Sequence, residues 1–298
     1  MASGLPGASQ ACYRAAVAYV LGVVGGSGIY DLPGLSRVSS EAVDTPYGAP
    51  SAEIVRGWLG DTGLLFLPRH GKHHALPPHQ INYRANICAL KKLGATHLVS
   101  LSAVGSMREE IAPGHVVVVD QFIDLTKRRV STFFEDGVVG HVAFADPVCP
   151  RLAAALAEAS RAEGAQVHLG GTYVCMEGPQ FSTRAESRLY RQWGVSVIGM
   201  TAMPEAKLAR EAELPYATLA LATDYDCWHE SEEDVSVDAI LEVLKQNADL
   251  ARRTVARLAR ALPDPAESPA QGATRTAILT ARGAIAAEVR ERLAWLLG

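Results

Sequence analysis

The sequence lacks the features that would suit it to an oxidising compartment, a membrane or a nucleic acid. Its 298 residues include only five cysteines: Cys12, Cys88, Cys149, Cys175 and Cys227. Odd in number and never in a C-x-x-C, they exclude a disulfide framework and a cysteine zinc site and fit reduced thiols. Charge of neither sign dominates. Lys and Arg number 28 against 32 Asp and Glu, for a net −4, so no basic excess points to nucleic acid or an anionic membrane. Long hydrophobic runs are also missing. The longest, Ala15–Val24, is too short to span a bilayer. It reads as a buried strand running into Gly25-Gly26-Ser27-Gly28 rather than as a signal peptide, because no small-residue cleavage site follows. The cytoplasm is therefore the expected location. No internal repeat and no long low-complexity tract occurs.

What is present is apolar residues, 48% of the chain, enough for a sizeable core. Short runs of β-branched residues and leucine recur: Val17–Val24, Leu64–Leu67, His97–Ser102, Val116–Val119, Val195–Met200 and Ala217–Thr223. Runs of this length and composition predict buried strands. Between them, helical periodicity covers Asn82–Leu93, Pro150–Glu163, Ser182–Trp193, Pro204–Ala212 and Val237–Leu262. Strand–helix alternation along the whole chain predicts an α/β fold with a mixed or largely parallel sheet. Residues 1–15 read as a loose extension, 16–262 as one domain and 263–275 as a linker by composition. Residues 276–298 read as a final helix packing on the domain.

Six loops at predicted strand ends carry residues with chemistry. Gly25–Gly28 follows the first strand, and its N–H groups with the Ser27 hydroxyl suit an anion or a plain turn. Pro68-Arg69-His70-Gly71 offers a planar fork and an imidazole, as an anion site or a surface loop. The further histidines His73, His74 and His79 have no carboxylate or cysteine at ligand spacing, so no metal is expected. Ser102–Ser106 is built of small residues that admit a ligand to the backbone, or simply form a tight turn. In Glu177–Arg184, Ser182 and Thr183 fit an N-cap and Phe181 fits stacking on a planar base or core packing. Met200 and Thr201 follow another strand; a sugar contact and a hydroxyl donor are one use, core filling the other. Asp224 and Asp226 end the last strand, where two carboxylates are costly to bury without a purpose. They serve as a proton donor and a reader of ring N–H groups, or as a metal pair with no third ligand evident. Together the six describe a phosphate-using site for a neutral planar ligand.

The segments GGSGIYDLPGL, DTPYG, PRHGKHHALPPHQINYRANI, GSMREEIAPG, VDQFID, MEGPQFSTRAES, GMTAMPEAKLARE and ATDYDCW resemble, in this order, the methylthioadenosine phosphorylases. These form part of the trimeric branch of the purine nucleoside phosphorylase superfamily. The resemblance runs from about Val23 to Ala251 and leaves out residues 1–15 and the tail after about 262. It implies a single-domain, purine nucleoside phosphorylase-like α/β fold, with a mixed central sheet and partial barrel flanked by helices. It implies a homotrimer in which a neighbouring subunit contributes to the site. The implied reaction is phosphorolysis of methylthioadenosine to adenine and 5-methylthioribose 1-phosphate, serving methionine and purine salvage. Inorganic phosphate is the co-substrate, with no metal and no organic cofactor.

By motif match, phosphate would be held by Ser27, Arg69, His70, Ser102, Ala103 and Thr201. Ser27 and Ser102 stand where relatives often have threonine. The ribose would sit on Met200, and adenine near Phe181 and Ser182, with Asp224 at N7 and the 6-amino group and Asp226 supporting it. Val237, Ile240 and Leu241 would line an apolar pocket for the methylthio group, although the same spacing is an ordinary apolar helix face. His141 would reach the neighbour's pocket. Within the fold, a broader purine nucleoside phosphorylase acting on adenosine or methylthioinosine is the alternative. Asp224 and Asp226 speak against the 6-oxopurine, because an acceptor carboxylate suits a 6-amino group. A nucleosidase would not need Arg69 and His70. A binding protein without turnover would release no adenine.

Overall fold

The computed structural model describes residues 19–26, 32–229 and 237–297, with backbone alone for 237–242. Ser27 and the 1–15 extension lie outside the described residues, as do the side chains of Val237, Ile240 and Leu241. The centre is a mixed sheet of eleven strands. Three parallel strands form its spine: β1 (Val20–Gly25), β4 (Thr62–Pro68) and β5 (His97–Ser106). On the other edge of β5 lies β11 (Tyr216–Asp224), also parallel. These strands are covered on both faces, which is why they read in sequence as continuous apolar runs. Leu21, Val24, Leu64, Leu65, Leu98, Val99 and Leu219 are fully buried.

The sheet branches at β5. Along one edge, β5 pairs with β1 up to Ser100. The same edge resumes at Gly105 and Ser106, now antiparallel to β10 (Val197–Gly199). Beyond β10 come β9 (Thr172–Cys175) and β7 (Gln121–Asp124), each parallel to its neighbour. From β11 the sheet continues through β6 (Val116–Val119), antiparallel, to β8 (Val167–Leu169). The hairpin of β2 (Ser36–Glu41) and β3 (Ile54–Leu59) extends the β4 edge. This branching curls the sheet toward a partial barrel and opens it at Leu101–Val104 of β5.

Among the described residues, six helices pack on the sheet. Against one face pack α1 (Tyr83–Lys92), α4 (Ala202–Glu211) and α6 (Ala287–Leu297). Against the other pack α2 (Pro150–Ala162) and α5 (Val237–Leu258). A smaller cluster seats α3 (Arg184–Gln192) on Val174, Val195 and Ile198. The starts are chemically marked. The Asn82 side chain accepts from Ala85 N at the head of α1. Thr183 and Glu186 form a reciprocal capping box on α3, and Pro150 opens α2.

The tail differs from its sequence pattern. The 263–275 stretch is packed: Ala270 is 1% exposed, and Thr274 donates through both its N–H and its hydroxyl to Glu213. The last helix begins at Ala287, well after residue 276, where the sequence reading starts it. The reason is backbone pairing. Ala277 accepts from His141 N, and Leu279 donates to Val139, so these groups are taken before an α-helical turn can use them. Among the described residues, no helix is long and apolar enough to cross a membrane. The four described cysteines, Cys88, Cys149, Cys175 and Cys227, are free thiols.

Candidate active site

The gap in the β5 ladder is where the candidate residues meet. Among the described residues, Leu101–Val104 has β11 on one edge and no strand on the other, between the end of β1 and the start of β10. Ligands of open α/β sheets collect at such a switch of neighbours. Ala103 is exposed although Ser102 and Val104 on either side are buried, so the strand meets solvent at this residue.

Three hydroxyls stand behind Ala103. Ser102 Oγ is 3.1 Å from Thr201 Oγ1 and 3.0 Å from the Tyr173 hydroxyl. Thr201 arrives because β10 ends at Gly199, where a side chain would collide with the Tyr173 ring: an added Cβ would lie 1.9 Å from the hydroxyl oxygen. Tyr173 is fully buried, and that burial pushes its pKa up to about 12, so it acts as a hydrogen-bonding hydroxyl and not as a charge.

Arg69 lies beneath this group, 2% exposed. Its Nε donates to Glu205 Oε2 at 2.9 Å and its Nη2 to Glu205 Oε1 at 3.2 Å. Nη2 also reaches Ser100 Oγ and Val24 O, and Nη1 reaches Leu101 O. One Nη1 hydrogen is left for a ligand among the described residues. Glu205, absent from the sequence expectations, is itself buried and takes a further bond from the Tyr216 hydroxyl. A buried charge of this kind needs both pairing and hydrogen bonds.

His70 donates from Nδ1 to the Leu76 carbonyl at 2.9 Å and stacks on His74. Burial, with Arg69 and His74 nearby, lowers its pKa to about 4, against a partial rise from the Leu76 bond. At neutral pH the ring is uncharged and Nε2 is available.

Asp224 ends β11 opposite Gly105. Its Oδ2 accepts from Thr223 Oγ1 at 2.7 Å and its Oδ1 from Asp226 N at 2.8 Å. Burial raises its pKa above the usual carboxylate value, and the Asp226 charge adds to the rise. Gly105 is needed here, because an added Cβ would lie 3.0 Å from Asp224 Oδ1. Asp226 has φ +53° and supports Asp224 through its backbone N–H. Its carboxylate turns away, accepting from Ser182 Oγ at 3.0 Å and Ser187 Oγ at 2.5 Å. That ties the α3 start to the end of β11.

Ser182 is thereby brought to the acidic loop, while Phe181 beside it is 83% exposed. Met200 packs on the 177–182 loop, since a Cβ on Gly178 would lie 2.5 Å from Met200 Sδ. His141 stands apart from this group within the chain. It is exposed, bonded through its N–H to Ala277 and set beside Arg210 and Gln271. The methylthio-pocket expectation rests on Val237, Ile240 and Leu241, whose backbone opens α5. Among the described residues no group of three or more His, Cys, Asp or Glu is arranged to hold a metal ion.

The model of the Phosphorylase superfamily matches residues 20–262. An S-methyl-5′-thioadenosine phosphorylase of Geobacter sulfurreducens is 58% identical over 94% of this chain and 98% of its own length. One from Bradyrhizobium diazoefficiens is 54% identical over 92% and 95%. Among solved structures, a methylthioadenosine phosphorylase from an antarctic soil metagenomic library superposes with TM-score 0.90 at 49% identity, covering 94% of this chain and 99% of that one. A mutant of the Schistosoma mansoni adenosine/methylthioadenosine phosphorylase, in complex with methylthioadenosine, superposes with TM-score 0.77 at 33% identity, over 94% and 98%.

Proposed function

The chain belongs to the phosphorylase superfamily, and from that premise we propose that it catalyses phosphorolysis of 5′-methylthioadenosine, yielding adenine and 5-methylthioribose 1-phosphate. The observation that carries this reading is that one strand, β5, joins a buried hydroxyl and cation cluster to a carboxyl of raised pKa. Ser102 bonds Thr201, Arg69 bonds Leu101 O, and Asp224 stands opposite Gly105 of the same strand.

The chemistry follows from that polarity. Breaking the C1′–N9 bond sends its electron pair into the base and leaves positive charge on the sugar. Phosphate held by the Ser102 and Thr201 hydroxyls, the backbone at Ala103, the remaining Arg69 N–H and His70 meets that charge and forms the new C1′–O bond. A protonated Asp224 gives its proton to N7, so the base leaves neutral. Asp224 in turn favours a 6-amino purine, to which it offers an acceptor. Ser27 would complete the anion site. Met200 would carry the ribose, Phe181 and Ser182 the adenine, and Val237, Ile240 and Leu241 the methylthio group. No metal or organic cofactor is required, because phosphate supplies the nucleophile and Asp224 the proton.

A homotrimer is part of the proposal. It is supported by His141 and by Val139 and Leu279, which remain 48% and 68% exposed beside it. A cytoplasmic location agrees with the free thiols.

The test is adenine release from methylthioadenosine by the purified protein, with and without phosphate. Release only with phosphate is the expected result. Release without it would make the protein a nucleosidase, and no release would overturn the Asp224 assignment. Adenosine and methylthioinosine measured alongside decide how narrow the 5′ and base preferences are.

A further inference from the structure

Arg129 follows β7 and lies outside every loop that the sequence singles out. Its side chain is 1% exposed, and a guanidinium buried so deeply is costly unless its donors are met. Backbone carbonyls meet most of those on Nη1 and Nη2, while Nε has no hydrogen-bond partner. Nη1 donates to Met200 O at 2.7 Å and to Met203 O at 2.6 Å. Nη2 donates to Glu177 O at 2.7 Å, with Met176 O at 3.5 Å. The Tyr83 hydroxyl takes another bond at 3.0 Å. The Glu177 carboxylate balances the charge from 3.7 Å without a hydrogen bond to it.

These carbonyls belong to three pieces of the site. Met176 and Glu177 leave β9, Met200 leaves β10, and Met203 lies in the first turn of α4. Peptide planarity makes the grip directional. With the Met200 carbonyl held by Arg129, the Thr201 N–H on the other edge of that peptide points the opposite way. Thr201 Oγ1 then meets Ser102 Oγ. The grip on Glu177 places Gly178 against the Met200 side chain.

We infer that Arg129 is a positioning residue for the nucleoside and phosphate site, setting the spacing of the 176–178 and 200–203 segments and so aiming Met200 and Thr201. This rests on the phosphorolysis proposed above, and Arg129 itself touches no substrate. Lysine cannot reproduce the fork, because its ammonium has three donors at one point.

The experiment compares wild type, Arg129→Lys and Tyr83→Phe, each normalised to folded protein. It reads kcat, both KM values and the rise in Tm caused by inorganic phosphate. For Arg129→Lys, kcat/KM for phosphate is expected to fall by about 100-fold, the scale of an ångström of misplacement. The phosphate-induced rise in Tm is expected to disappear. Tyr83→Phe removes one bond of the same guanidinium and should move both readouts in the same direction by less. It decides the question if Arg129→Lys does not fold. Kinetics and phosphate stabilisation equal to wild type, in the variant that folds, overturn the inference. A wild type that binds phosphate without phosphorolysis would end the reaction reading alone. Loss of phosphate stabilisation in Arg129→Lys would then still establish the clamp. A wild type that binds no phosphate overturns both.

Discussion

Glu205→Gln removes one charge and almost no volume, and its consequences reach the anion site. In the wild type the carboxylate and the Arg69 guanidinium are 3% and 2% exposed and share two hydrogen bonds. The Tyr216 hydroxyl donates to the same carboxylate and accepts from Thr218. In the variant Arg69 keeps its burial but loses its counter-charge, and the new amide hydrogens face N–H donors. Breaking a buried pair from one side costs about 3–5 kcal/mol. For 298 residues, with unfolding entropy of about 2 cal/mol/K per residue, that is a fall in Tm of about 5–8 °C. Phosphate should return part of it. An anion beside Arg69 replaces the missing charge, so phosphate should raise the Tm of the variant more than that of the wild type. A ligand at 100 times its Kd contributes about 2.7 kcal/mol. The assay is calorimetry of both proteins without phosphate and at saturating phosphate, with chloride matching ionic strength. A fall under about 2 °C would refute the isolated-charge argument. Equal phosphate effects in the two proteins would show that Arg69 does not face the anion.

Three further outcomes are expected. Asp224→Asn should cut kcat/KM for methylthioadenosine by about 10²–10⁴-fold, the usual worth of a positioned acid, and favour methylthioinosine; unchanged kinetics with both nucleosides would remove Asp224 from the chemistry. Gly105→Ala places a methyl 3.0 Å from Asp224 Oδ1 and 3.1 Å from Ile198. It should cost about 1–3 kcal/mol in denaturant unfolding by overpacking and lower turnover with it; full activity would mean that the acid can move freely. Burial lowers the His70 pKa to about 4 in the folded chain, below the ordinary imidazole value. The unfolded chain therefore takes up this proton first as pH falls. The stability contributed by the neutral ring is full above the unfolded value and is lost as pH drops toward the folded one. His70→Asn should flatten the dependence of stability on pH across that window by up to about one proton, and an unaltered slope in urea titrations would contradict the burial argument.

The strands buried on both faces were legible, because burial leaves a continuous apolar run whatever the neighbours are. The β2 strand was not, since Ser36–Val38 and its following serines are exposed and the strand exists only through pairing with β3. Helix starts were legible through Asn82, Pro150 and Thr183, whose cap chemistry is local. The last helix was misplaced because residues 277–280 pair with a segment some 140 positions away, which periodicity does not register. Glu205 was missed for the same reason. In PEAKLARE it reads as a solvated helix charge, and only a guanidinium 136 residues distant makes it a buried partner.

The site inverts the expectation that charge marks the ligand. Arg69 and Arg129 are the deepest cations near it; Arg129 uses most of its donors on backbone carbonyls, and Arg69 divides its donors among Glu205, Ser100 and two carbonyls. What they leave at the site is neutral: the Ser102 and Thr201 hydroxyls, the exposed Ala103 and an uncharged His70. A cation buried beneath neutral donors favours an anion with little rearrangement, because the donors are already aimed and the field is already present. It also spares the empty site an exposed guanidinium that water would solvate and that a ligand would have to strip. The same logic applies at the end of β11. There Asp226 spends its carboxylate on Ser182 and Ser187 and gives Asp224 only a backbone N–H, which leaves one acid, not two, to exchange a proton with the base.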